Sequence, residues 1–191
     1  MVAKKKRMKK RKKNLYFIYL KELCLACLCS LLLVIVVSLF FFRWTKVAGY
    51  SMRPTLYDQD VVIIKKTKTV KRFDLILFDL GMKQQIRRVI GLPGEKIRYQ
   101  EDTLYVNNEP IDEKFLVDEV NETQRNGRNY TEDFFSGNDE GARIIPEGFY
   151  LVLGDNRPYA TDSRHYGLLA TKNVIGRVTV KIFPINDIQV F

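Results

Sequence analysis

Twenty consecutive residues without a charge, Leu23 to Phe42 (LCLACLCSLLLVIVVSLFFF), constrain this chain more than any other stretch. A helix rises about 1.5 Å per residue, so the run matches the roughly 30 Å hydrocarbon core of a bilayer. Tyr16, Phe17 and Tyr19 precede it and Arg43-Trp44 close it, as side chains at membrane interfaces tend to do. The run is longer than the apolar part of a secretory leader, and no small-x-small cleavage site ends it. This predicts a transmembrane helix over 23–42, with a basic arm and membrane entry over 1–22.

Charge supports that division. The formal net charge is +10, which invites a nucleic-acid reading. Nine of the 32 basic residues lie between Lys4 and Lys13, which leaves 23 against 22 acidic residues. The basicity is therefore an N-terminal arm and not a binding face, and no nucleic-acid partner is expected. By the positive-inside rule the arm stays cytoplasmic, and residues 43–191 form an extracytoplasmic domain. Cys24, Cys27 and Cys29 all fall within the apolar run, where they read as small fillers or acylation candidates. No metal and no cofactor are expected. The outer domain has no cysteine for a disulfide, so its stability must come from a hydrophobic core.

Past the anchor the pattern is of short strands. Asp60–Ile64, Asp74–Phe78, Gln85–Ile90, Lys96–Tyr99, Thr103–Val106, Phe149–Leu153, Val174–Ile182 and Ile188–Phe191 are β-branched or aromatic runs between polar turns. Glu101-Asp102 and Asn107-Asn108 are turn signals. The fold class is mainly β: one N-terminal transmembrane helix, then an antiparallel β domain with a strongly bent sheet. The stretch 118–141 is rich in Asn, Asp, Glu and Gly and reads as an exposed, mobile insertion.

Ser51 lies just beyond the anchor, in Gly49-Tyr50-Ser51-Met52-Arg53-Pro54-Thr55-Leu56. A serine hydroxyl is a weak nucleophile until a base takes its proton. The one histidine, His165, offers no clear Ser-His-Asp order but stays open as a base; the alternative is a buried, neutral lysine.

Four stretches now carry a resemblance. GYSMRPTL resembles the serine box of the type I signal peptidases, membrane-anchored Ser/Lys proteases, here of the Gram-positive type. YDQDVVIIKK resembles their Gly-Asp-x-Val strand, with Gln59 where glycine is usual. RRVIGLPGE resembles their lysine box, and GDNRPYATDSRHYG their Gly-Asp-Asn-Arg box. The resemblance implies an endopeptidase that removes signal peptides of exported pre-proteins after small residues, in the Ala-x-Ala pattern, at a bacterial cell membrane. It implies Ser51 as nucleophile, Gly49 and Ser51 as backbone oxyanion donors, and Val47 and Ile86 as walls of the substrate pocket. Arg88, Asp162 and Arg164 match supporting positions, read here as an ion-paired network that holds the loop.

Two positions depart from the pattern. Arg87 stands where the family has its general-base lysine, and Ala160 where it has the serine that orients that lysine. Arginine keeps its proton and has no acceptor, so it cannot deprotonate Ser51 near neutral pH. A substitute lysine would be Lys83, about 13 Å along the strand from position 87, or Lys65 or Lys66 on a neighbouring strand. With base and orienter both changed, an alternative is a silent relative that binds exported substrates and assists surface or pilus assembly.

Overall fold

The computed structural model describes residues 2–81, 83–136 and 144–191. It divides into two units, Met1–Phe42 and Arg43–Phe191. The first is a single helix, α1 (Val2–Phe41). Tyr19–Phe41 within it is long and apolar enough to cross a membrane, and none of its most apolar window is buried against protein. The helix therefore begins well before the 23–42 run, takes in the basic arm, and stops one residue short of Phe42. The three cysteines are free and exposed along it.

The second unit is antiparallel β. Its strands are β1 (Phe42–Lys46, entering from the unit boundary), β2 (Val61–Lys65), β3 (Leu75–Leu80), β4 (Lys83–Gly91), β5 (Ile97–Gln100), β6 (Thr103–Val106) and β7 (Glu109–Ile111). After them come α2 (Val117–Arg125), β8 (Phe134–Phe135), β9 (Phe149–Leu153), α3 (Ser163–Tyr166), β10 (Leu169–Ala170), β11 (Val174–Phe183) and β12 (Gln189–Val190). One sheet runs β1-β2-β11-β3-β4-β9-β10, with β12 also on β11; the other runs β7-β6-β5-β8. The turns at Glu101-Asp102 and Asn107-Asn108 have positive φ at both residues, as tight hairpins require. They join β5 to β6 and β6 to β7.

Alternation along the strands divides the core. Leu75, Leu77 and Ile86 face a cluster with Val47, Met52, Leu56, Val62, Ile64 and Val178. Ile76, Phe78 and Val89 face a second with Val152 and Tyr150. A third joins the two sheets through Ile90, Ile97, Tyr99, Leu151 and Leu153. Met52 and Leu56 are fully within the first cluster, so the serine loop is pinned from beneath by apolar burial.

Over its described residues the expected insertion is largely exposed, and part of it is folded and attached. Its first part folds as α2, and Tyr130, Thr131 and Ser136 are buried. The Tyr130 hydroxyl donates to the Asp155 carbonyl at 2.9 Å. The stretch has few aliphatic residues because its attachment is polar and aromatic, a kind of anchoring that aliphatic patterning does not signal. Residues 137–141 lie outside the described residues.

Candidate active site

The serine loop is held by backbone and carboxylate contacts. Val47 N–H donates to the Asp60 carbonyl at 2.8 Å, and Gln59 N–H to the Val47 carbonyl at 3.0 Å. Tyr57 N–H donates to the Asp60 carboxylate at 2.8 Å. Gly49 N–H donates to Asp58 Oδ1 at 2.7 Å. That bond, chiefly, holds the Asp58 carboxyl below its ordinary value, with Gln59 adding to it. The Gly49 N–H, expected as an oxyanion donor, is here bonded to that carboxylate. Ser51 N–H and Ser51 Oγ have no hydrogen-bond partner among the described residues.

The last box closes on this loop from the other side. Asn156 N–H donates to the Ser51 carbonyl at 3.1 Å, and Asn156 Nδ2 to the Tyr50 carbonyl at 3.0 Å. Gly154 makes the approach possible. A Cβ there would lie 2.3 Å from Ala160 Cβ and 2.6 Å from the Ser51 carbonyl oxygen. Gly154→Ala is therefore expected to push Ser51 out of place. Any Ser51-dependent cleavage should fall at least about 10²-fold, since displacements near 1 Å have that effect. Cleavage assays on the variant, with near-UV circular dichroism to follow its packing, check this.

Val47, Ser51, Met52, Leu77, Ile86 and Arg87 line one cavity of about 250 Å³. Lys46, Lys83 and Gln85 also border it. The structure thus brings Ser51, Val47, Ile86 and Arg87 together. Gly49, Arg88, Ala160, Asp162 and Arg164 stand behind or beside that cavity and do not line it. Ile86 and Arg87 come from β4, whose stretch Lys83–Arg87 pairs with β3 along one edge. Partner β9 joins the other edge only at Arg88 and beyond, so over Lys83–Arg87 that edge is unpaired among the described residues.

Arg87 is buried, and its guanidinium is tied to backbone. Nε and Nη2 donate to the Thr161 carbonyl at 3.2 and 2.8 Å, and Nη1 to the Ile86 carbonyl at 2.6 Å. Burial lowers its proton affinity; Tyr166, Asp162 and Asp155 act the other way. Among the described residues no carboxylate pairs with it directly. The Tyr166 hydroxyl is buried without a hydrogen-bond partner, and its pKa is pushed up to about 12, mainly by burial.

The supporting residues split into two groups. Arg164 pairs with Asp162 at 2.8 Å, and Asp162 also accepts from Gly154 N–H at 3.0 Å. That pair clamps the 154–162 loop. Arg88, expected in the same network, belongs elsewhere. Its side chain leaves β4 on the opposite face from Arg87, forks onto Asp155 at 2.8 and 2.5 Å, and reaches Thr55 Oγ1 at 3.1 Å. Ala160 is buried against Gly154. His165, left open as a base, is 57% exposed in its side chain and caps α3, its Nδ1 accepting from Asp162 N–H at 3.4 Å. Lys65 and Lys66 are exposed and do not line the cavity. Lys83 borders it from the exposed start of β4, and Lys46 Nζ donates to Gln59 Oε1 at 3.0 Å.

Sequence reasoning missed Asp58, Thr55 and Gln85. Asp58 fixes Gly49, and Thr55 donates to Asp155 Oδ2 at 2.5 Å. Gln85 Oε1 is buried without a partner at the edge of the cavity. Its place next to Ile86 was the available signal.

The antiparallel β domain presents Ser51 at a small cavity beside an open strand edge, where an extended peptide could add as a further strand. Comparison with known proteins specifies the class. The family model described as "Signal peptidase, peptidase S26" matches residues 20–183. "Signal peptidase I V" of Bacillus subtilis is 40% identical over 160 residues, covering 81% of this chain and 94% of its own. "Signal peptidase I" of Streptococcus pneumoniae strain R6 is 32% identical over 204 residues, covering 93% of this chain and 100% of its own. The crystal structure of a signal peptidase I from Enterococcus faecalis V583 superposes with a TM-score of 0.51 at 38% identity, covering 58% of this chain and 97% of that one. This chain belongs to the signal peptidase family, peptidase S26, and is a peptidase of the signal peptidase I type.

Proposed function

We propose that the protein is a serine endopeptidase of a bacterial cell membrane that removes N-terminal signal peptides from exported pre-proteins after small residues, slowly, with Ser51 as nucleophile. The observation that carries the reading is the single cavity where Ser51 meets Val47 and Ile86 beside the open Lys83–Arg87 edge. An extended substrate adds to that edge through main-chain hydrogen bonds, and its alternate side chains point into the cavity. Val47 and Ile86 wall the space, and the small-residue preference is carried over from the likeness to the signal peptidases. Ser51 Oγ attacks the carbonyl after the small residue, its proton passing through solvent water to the departing amine, and Ser51 N–H faces the oxyanion that forms. Such a donor contributes about 3–4 kcal/mol. The amine of the mature chain leaves, and water releases the signal peptide from Ser51.

Orientation follows from charge: the basic arm stays cytoplasmic and residues 43–191 work outside. Exposed Trp44, Ile185 and Val190 offer apolar side chains to the bilayer surface. The proton on Ser51 is the weak point, because Arg87 has no lone pair to receive it. That same observation favours a second reading, a groove that binds exported chains without cutting them and assists surface or pilus assembly. Incubation with a pre-protein carrying an Ala-x-Ala site separates the two. Slow cleavage after the second alanine is expected, and Ser51→Ala should remove it. No cleavage above the Ser51→Ala background would leave only the binding reading.

A further inference from the structure

We propose that Arg87 turns the Ser51 cavity into a receptor for a free peptide carboxylate, the new C-terminus of a chain ending in a small residue. Resting on the groove reading above, the inference adds a ligand that the cleavage step alone does not require.

A buried cation is expensive unless an anion meets it. The other buried arginines of this domain have theirs: Arg88 has Asp155 and Arg157 has Glu113. Arg87 is also buried, 7% exposed, and has only carbonyl oxygens. Asp155 and Asp162 act on it from a distance, but each is already engaged by its own arginine. The Tyr166 hydroxyl faces it as a neutral group. Its bonds to Thr161 and Ile86 leave guanidinium N–H groups over, because a guanidinium has more donors than these contacts use.

The cavity around it is rich in donors. Ser51 N–H and Ser51 Oγ–H are unpartnered among the described residues, and Lys83 borders the same space. A neutral amide carbonyl uses one or two such donors. A carboxylate has two acceptor oxygens and a full charge, and arginine matches it with paired N–H groups. Val47, Leu77 and Ile86 line the same space and give the side chain beside that carboxylate an apolar contact. A signal peptide released by cleavage ends in just such a group, so the protein holds its own product.

The test uses the full chain in detergent micelles and one fluorescent peptide ending in Ala-x-Ala, made as the free acid and as the C-terminal amide. Affinity is read by anisotropy at pH 7. The free acid is expected to bind at least about tenfold tighter than the amide. Arg87→Gln should bring the acid down to the affinity of the amide, and Arg87→Lys should keep part of the difference. Equal affinity of acid and amide in the wild type overturns the inference and leaves the groove reading standing. An acid preference that survives in Arg87→Gln also overturns it, placing the anion on Lys46 or Lys83. If neither peptide binds, the groove reading fails and this inference with it.

Discussion

A chain carrying both Arg87→Lys and Ala160→Ser is expected to cleave an Ala-x-Ala pre-protein about 10²–10⁴-fold faster than the wild type, the range a positioned general base contributes. The gain should appear in kcat, because the substrate walls Val47 and Ile86 are untouched. The reasoning is protonic. Position 87 lies on the cavity that holds Ser51 and is buried. Burial disfavours an ammonium, so a lysine there exposes a neutral amine within reach of physiological pH. Arginine in the same place keeps its charge. The second change matters because Ala160 packs on Gly154, which itself touches the Ser51 carbonyl. A hydroxyl at 160 gives the amine a partner that orients its lone pair. Arg87→Lys alone should recover only part of the gain. The rate of the double variant should rise with pH as the lysine loses its proton and then level off, whereas the wild type should show no such limb from residue 87.

Glu113→Ala is expected to destabilise the outer domain by about 3–5 kcal/mol, the effect of stranding a buried charge. For a domain of this size that lowers Tm by roughly 10 °C. Arg157 is fully buried, pairs with Glu113 at 2.5 Å, and also contacts the Tyr99 hydroxyl and Thr131 Oγ1. Its Nε donates to the Gly154 carbonyl at 3.0 Å. The loss should therefore loosen the loop behind Ser51 as well as the link between the two sheets. Glu113→Gln keeps an acceptor and should cost less. Thermal unfolding of both variants in detergent measures the difference.

Most of the fold was legible in the sequence because its signals are local. Twenty uncharged residues predict an apolar helix long enough to span a bilayer, which the structure has, and each β-branched run between polar turns became a strand within a residue or two. The hairpin turns were readable from Glu-Asp and Asn-Asn pairs. What was not legible depends on partners distant in sequence. Arg88 and Asp155 are 67 positions apart, and nothing local says that Arg88 leaves Asp162 to Arg164. The 118–141 stretch looked loose because its attachment runs through Tyr130 and Thr131 to Asp155 and Arg157, not through aliphatic burial. The site showed the same division. Ser51 and Ile86 could be placed from their boxes, but the competition of Asp58 for the Gly49 N–H is a fact of three-dimensional packing. Arg87 was visible as a departure, and the structure adds where its donors go.

The most direct test of the account is the initial rate of pre-protein cleavage by the wild-type chain beside Ser51→Ala and the Arg87→Lys, Ala160→Ser double variant. The account predicts slow wild-type cleavage, none above background for Ser51→Ala, and a large gain in the double variant. Wild-type cleavage as fast as that of the double variant, and lost in Ser51→Ala, would contradict it, because Ser51 would then have a base other than residue 87.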